Sequence, residues 1–284
     1  MSNSKELALD WVRGLGLYLE YKKDPEAQKF INFLEKSMYA DNPVIDIVNQ
    51  SGMIEFISVL RKFTPNPVFD IFHKYYRWKF DPASLCDAFS KGQVQSKIWL
   101  IEELEKIKKD DLGNVLILAG WFGQFISYID NFKFNQARII EIDKPACIVS
   151  DRIFNIDHIE GHKVKSVLAD INSLELSKNG YNLDVKKYHS DEDIGYTQQF
   201  LPDVIVNTSS EHMSEDWFFQ LKFKKLKSNP LVIIQSNNLF DIEEHINCVH
   251  SVEHMKKKYP FEEILYEGEI ELYGYKRFML IGRP

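Results

Sequence analysis

Six consecutive residues, Asn207-Thr208-Ser209-Ser210-Glu211-His212, put an amide, a carboxylate and an imidazole directly behind a short apolar run, Val204–Val206. Glu211 and His212 are of the types that take a proton in general base catalysis, and the Asn207 amide can position a polar reactant. The local alternative is that Ser209 and Ser210 cap a following helix and Glu211 completes a capping box. Four other apolar runs end in a comparable way. Val115–Ala119 leads into Gly120, Trp121, Phe122 and Gly123, and Arg138–Ile142 leads into Asp143. Val164–Ala169 leads into Asp170 and Ile171, and Leu231–Ile234 is followed by Ser236, Asn237 and Asn238. A glycine turn lets backbone N–H groups come close to a ligand, and an ionised carboxylate accepts hydrogen bonds through two oxygens. Asp143 and Asp170 each stand one or two residues before a helix or turn, so both can also act as caps.

The other candidate groups point elsewhere. His245, His250 and His254, with Cys248, raise the question of metal, and the last two histidines share a helical face if that segment is helical. Their spacing matches no recognised zinc signature, and no metal is expected. Lysines 256–258 suit the end of a helix. The formal net charge of −7 lacks the basic stripe of a nucleic-acid binder, so a small-molecule partner is expected in preference to nucleic acid. Three widely spaced cysteines are no disulfide framework and suit a reducing compartment. The N-terminus lacks the apolar core of a signal peptide, and no run approaches the roughly 18 apolar residues of a membrane helix. A cytoplasmic protein with no membrane contact is expected.

The elements that must position these groups follow from patterning. Up to about residue 110 the apolar spacing is helical: Leu7, Leu9, Trp11, Val12, Leu15 and Leu19 cluster on one face. Helix starts are expected at Asp24-Pro25, Asn42-Pro43 and Asp81-Pro82, with a break at Thr64–Pro67 and a last helix over Ser96–Lys109. From Gly113 the five apolar runs alternate with helical segments, for instance Pro145–Phe154 and Glu215–Lys227. That alternation implies an α/β fold with a doubly wound, mostly parallel sheet. Ile264–Glu271 and Lys276–Ile281, around Gly274, read as a C-terminal antiparallel hairpin. The polar stretch Asn179–Leu201 reads as an irregular insertion or lid. The organisation expected is a helical N-terminal domain over 1–92 and a Rossmann-like domain over 93–284. In such sheets ligands bind at the carboxyl ends of the strands.

The stretches VLILAGWFGQF, ARIIEIDKPAC and VLADINSLEL resemble, in order, the first three motifs of class I S-adenosylmethionine-dependent methyltransferases. The terminal hairpin is similar to that superfamily too. The resemblance implies that the Gly120–Gly123 turn lies against the amino-acid end of S-adenosylmethionine. It implies that Asp143 accepts from the ribose hydroxyls, and that Asp170 and Ile171 meet the adenine. NTSSEHM occupies the fourth motif, beside the transferred methyl group, with Asn207, Glu211 and His212. Aligned on the usual GxGxG, Ala119 and Trp121 stand where glycines are expected, and Gly123 alone is kept. The activity implied is methyl transfer, with the N-terminal helices covering the acceptor site or forming a homodimer. The alternatives are a nicotianamine-synthase-like transfer of the aminobutyrate group and a non-catalytic scaffold with the same fold.

Overall fold

The computed structural model describes residues 2–25, 28–29, 31–32, 35, 58, 87–129, 131–155, 162–186 and 195–284. The chain divides into two compact units, Met1–Trp99 and Leu100–Pro284.

In the first unit, α1 (Ser2–Tyr21) buries Trp11, Val12, Leu15, Tyr18 and Leu19, the face its apolar spacing implies. Gly14 lies where backbone crosses the helix: a Cβ there would sit 1.9 Å from the Phe89 carbonyl oxygen. The Lys91 N–H donates to Asp10 Oδ2 at 3.1 Å beside that crossing. The helix expected at Asp24-Pro25 begins there, with the Gln28 N–H donating to the Asp24 carbonyl at 3.0 Å. The starts expected at Asn42-Pro43 and Asp81-Pro82, and the break at Thr64–Pro67, lie outside the described residues. Helix α2 (Lys91–Ile107) begins five residues before the expected Ser96, because Ser90 opens it: the Val94 N–H donates to the Ser90 carbonyl at 3.0 Å.

The second unit is built on a seven-stranded sheet. In chain order come β1 (Asn114–Leu118), β2 (Gln136–Glu141), α3 (Lys144–Asn155) and β3 (Val164–Leu168). Next are β4 (Glu175–Ser177), β5 (Gly180–Lys186), β6 (Gly195–Phe200), β7 (Val204–Asn207), α4 (Asp216–Gln220) and β8 (Leu231–Asn237). Last are α5 (Val252–Lys258), β9 (Glu263–Leu272) and β10 (Tyr275–Arg283). The sheet order is β3-β2-β1-β7-β8-β10-β9, with β1, β2, β3, β7 and β8 parallel and β10 antiparallel to both of its neighbours. The central strands read as unbroken apolar runs because both of their faces are buried. The expected doubly wound α/β sheet with a terminal hairpin is therefore the fold of this unit. The hairpin turns on Tyr273-Gly274, where Gly274 takes φ +82°. Edge strand β9 faces solvent with Glu263, Glu267, Glu269 and Glu271, a charged row that discourages pairing with another edge. Among the described residues no helix is long and apolar enough to cross a membrane.

Two expectations are corrected. The stretch Asn179–Leu201 is not irregular throughout: β4, β5 and β6 form a separate antiparallel sheet. Tyr181, Leu183 and Val185 alternate inward along β5 and join Ile140 and Val167 in the core of the main sheet. Buried Arg138 on β2 ties this small sheet down, its Nε donating to Gln198 Oε1 at 2.7 Å and its guanidinium lying over the Phe200 ring. The helix expected over Glu215–Lys227 is broken into α4 and a 3-10 turn, Phe223–Lys225. Lys222 takes a left-handed conformation, φ 50°, between the two, and Trp217, Phe218, Leu221 and Phe223 are all buried around that break.

Candidate functional site at the carboxyl edge of the sheet

The chain leaves β1 for β2 and β3 on one side, and β7 and β8 lie on the other. The loops after β1 and β7 therefore diverge at the point where strand order reverses, where open α/β sheets hold ligands. Ala119, Trp121 and Gly123 have φ values of 48°, 47° and 69°. These are the three positions of the GxGxG pattern, so the loop keeps a glycine-loop shape with an alanine and a tryptophan in two of them. Left-handed conformation costs a non-glycine residue about 1–2 kcal/mol. The loop is held against that cost by its bonds: the Gly123 N–H donates to the Gly120 carbonyl at 2.7 Å, and the Trp121 N–H to Glu141 Oε2 at 2.8 Å. The Trp121 ring stacks on Phe122 with centroids 4.1 Å apart.

The two remaining glycines answer to packing. A Cβ on Gly120 would lie 2.6 Å from Ile139 Cγ2; one on Gly123 would lie 2.6 Å from Ile139 Cδ1 and 2.8 Å from Ser150 Oγ. Gly123→Ala adds a left-handed alanine to that clash and is expected to destabilise the unit by about 2–4 kcal/mol. Urea denaturation checks this; a midpoint equal to that of the parent chain would count against the packing argument.

Strand β2 ends at Glu141, two residues before Asp143. The Glu141 carboxylate is buried and accepts from three backbone N–H groups: Trp121 on Oε2, and Ile142 at 2.9 Å and Asp143 at 3.0 Å on Oε1. Asp143 is exposed and opens α3, its carbonyl accepting from the Cys147 N–H. Between them Ile142 is 73% exposed, an apolar side chain without cover at the sheet edge. Cys147 is fully buried, and that burial pushes its thiol up to about 12. Asp170 is exposed and caps a 3-10 turn, Ile171–Ser173, with its Oδ1 accepting from the Asn172 N–H at 2.9 Å. That is the capping role open to it from sequence. Ile171 is half-buried beside it.

The loop after β7 is fixed from below. Asn207 is fully buried, and its Oδ1 accepts from the Ser209 N–H at 3.0 Å. Ser210 Oγ donates to the Gln235 carbonyl at 2.7 Å. Ser209 makes no side-chain cap, and Glu211 turns inward and forms no capping box. Glu211 Oε1 accepts from Asn237 Nδ2 at 2.8 Å and pairs with Arg277 at 3.3 Å; both side chains of the pair are about 3% exposed. Arg277 also donates to the Thr208 carbonyl and, from Nε, to Gln235 Oε1. Glu211 Oε2 is buried without a hydrogen-bond partner. His212 is exposed, and its ring meets His245 edge-on with centroids 4.6 Å apart. His245 Nδ1 lies 3.2 Å from the Leu239 carbonyl, and burial lowers the pKa of its imidazole. His250 and His254 stack on each other instead.

The structure brings the expected strand ends to one edge of the sheet, and it adds four groups that the sequence reading did not place there: Glu141, Asn237 as a partner of Glu211, His245 as a partner of His212, and Arg277. Two signals were present in the chain. Glu141 is an acid closing an apolar run, and Arg277 is an arginine inside the buried strand Tyr275–Arg283.

No family model matches the sequence, and no curated protein matches it. Solved structures match at the level of fold. The N-methyltransferase NodS from Bradyrhizobium japonicum is similar at 9% identity, covering 66% of this chain and 94% of that one, with a TM-score of 0.47. A magnesium protoporphyrin IX methyltransferase from Synechocystis, solved with bound S-adenosylmethionine, is similar at 12% identity, covering 86% and 100%, with a TM-score of 0.46. An S-adenosylmethionine-dependent methyltransferase from Leishmania major is similar at 14% identity, covering 68% and 76%, with a TM-score of 0.46.

Proposed function

We propose that Leu100–Pro284 is an S-adenosylmethionine-dependent methyltransferase domain. The observation that carries this is the β1 loop: three left-handed positions in the GxGxG register, fastened through the Trp121 N–H to the acid that closes β2. The groups along that edge fit the parts of the cofactor. The loop backbone receives the amino-acid end. Three of about four acceptor sites on Glu141 are used by backbone N–H groups, which leaves one on Oε2 for a ribose hydroxyl. The ribose contact is assigned to Glu141 in preference to Asp143 because β2 ends there and because its carboxylate already faces the loop. Ile142 and Ile171 offer apolar surface for the adenine faces, and Asp170 Oδ2 an acceptor for its amino group.

The cofactor supplies an activated methyl group on a sulfonium. The chain holds the acceptor in line and takes its proton. His212 is exposed at the end of the β7 loop and is the base in this reading. Glu211, tied to Arg277 and Asn237, positions that loop, and buried Asn207 sets the turn from which it springs. The acceptor is a small molecule or an exposed group of a larger partner, in keeping with the acidic charge of the chain.

Isothermal titration of the full chain with S-adenosylhomocysteine is expected to give one site per chain. Heat from neither it nor S-adenosylmethionine would leave a scaffold with this fold. Once an acceptor is turned over, S-adenosylhomocysteine as the product supports methyl transfer, and methylthioadenosine would replace it with aminobutyrate transfer.

A further inference from the structure

We propose that Glu211, His212 and His245 form a site for a divalent transition-metal ion at the carboxyl edge of β7 and β8. Among the described residues this is the one trio of histidine, cysteine or acidic side chains whose ligand atoms come together, all within 4.8 Å of one another. Donors about 2 Å from a shared ion stand about 3–4 Å apart. The set closes on an ion by a movement of the exposed His212 side chain.

A second observation points to the same place. Glu211 Oε2 is buried and has no hydrogen-bond partner, although Glu211 is only 2% exposed. Its other oxygen is held by Asn237 and Arg277, so the plane of the carboxylate is set and Oε2 is left to ligate. A buried carboxylate oxygen with nothing to accept from is rare in folded proteins, and a cation supplies what is missing. One of the two imidazoles is already oriented for the same role. With Nδ1 donating to the Leu239 carbonyl, His245 presents Nε2 as its lone pair, the outer-sphere hydrogen bond that orients metal-binding histidines.

Two histidines and one carboxylate suit zinc, manganese, iron or cobalt better than calcium or magnesium. Neighbouring candidates are excluded by their own contacts. Cys248 Sγ donates to Asn237 Oδ1, and His250 lies between Phe240 and His254. With one ligand buried, one half-buried and one exposed, the ion would keep open positions towards solvent, as ions that bind a reactant do. If the methyltransferase reading holds, His212 serves there as a ligand in place of its role as the base: an oxygen or nitrogen of the acceptor on the ion would lose its proton more readily, to solvent water; the metal site itself does not rest on that reading.

The test uses the full chain, stripped with a chelator and titrated with Co²⁺, followed by visible d–d absorption, with Zn²⁺ as the competitor. One equivalent is expected to bind, and Zn²⁺ to displace it. His212→Ala and His245→Ala are each expected to weaken binding at least tenfold, and His250→Ala to leave it unchanged. His212 is exposed, and circular dichroism will verify that its variant is folded, so a loss of binding there reads the site and not the fold. No saturable binding by the parent chain, or binding by both variants as tight as the parent's, overturns the proposal. S-adenosylhomocysteine binding by the metal-free chain is measured in parallel, which separates failure of the metal site from failure of the cofactor site.

Discussion

Arg277→Met is expected to lower the stability of the Leu100–Pro284 unit by about 3–5 kcal/mol. The guanidinium lies in β10, opposite Asn237 of β8, and reaches Glu211 and the Thr208 carbonyl, so one side chain joins the hairpin to the loop after β7. Both partners of the pair are about 3% exposed. Removing the cation leaves a buried carboxylate with a single amide donor, Asn237, and the desolvation of that charge is no longer offset. The double variant Arg277→Met/Glu211→Leu removes both charges and is expected to recover most of the loss, because a pair replaced by apolar groups is often neutral. Urea denaturation of the parent, the two single variants and the double variant gives the coupling directly. A single variant within 1 kcal/mol of the parent would mean that water reaches the pair.

Glu141→Ala is expected to weaken S-adenosylhomocysteine binding by about 2–4 kcal/mol, a factor of about 30 to 1,000. It acts twice on the same event. It deletes the acceptor assigned to the ribose, and it frees the Trp121 N–H, so that a loop with two strained non-glycine residues loses the bond that anchors it. Asp143→Ala, by contrast, is expected to change affinity less than threefold, since Asp143 contributes main-chain bonds at the start of α3 and its side chain is exposed. Calorimetry on the two variants decides between the acids. The reverse ranking would return the ribose contact to Asp143.

The fold was legible where burial forces a pattern. Five apolar runs with polar endings were enough to set the parallel strands, because a strand covered on both faces has no other way to read. The hairpin was legible because Gly274 marks its turn. The sheet of β4, β5 and β6 was passed over because its inward residues, Tyr181, Leu183 and Val185, alternate with Asn182 and Asp184, and the polar half of that alternation dominates a composition-based reading. The site was legible only as a set of strand ends. Which of two acids, Glu141 or Asp143, turns inward depends on where β2 stops, and a boundary two residues off exchanges their roles. The pairing of Glu211 with Arg277 spans 66 positions and that of His212 with His245 spans 33, and no local pattern carries either.

The β1 loop has a further consequence. A loop of three glycines adapts to what it holds, since each glycine moves among many conformations and must be ordered on binding. Here an alanine and a tryptophan occupy two of those positions, and Glu141 pins the loop from the neighbouring strand. Much of the ordering is done before any ligand arrives, so little entropy remains to be lost on contact. Under the proposed function such a loop is expected to select by shape: a ligand that matches it is held at small entropic cost, and analogues altered at the end that meets the loop are expected to bind more weakly, because the backbone there has little room to adjust.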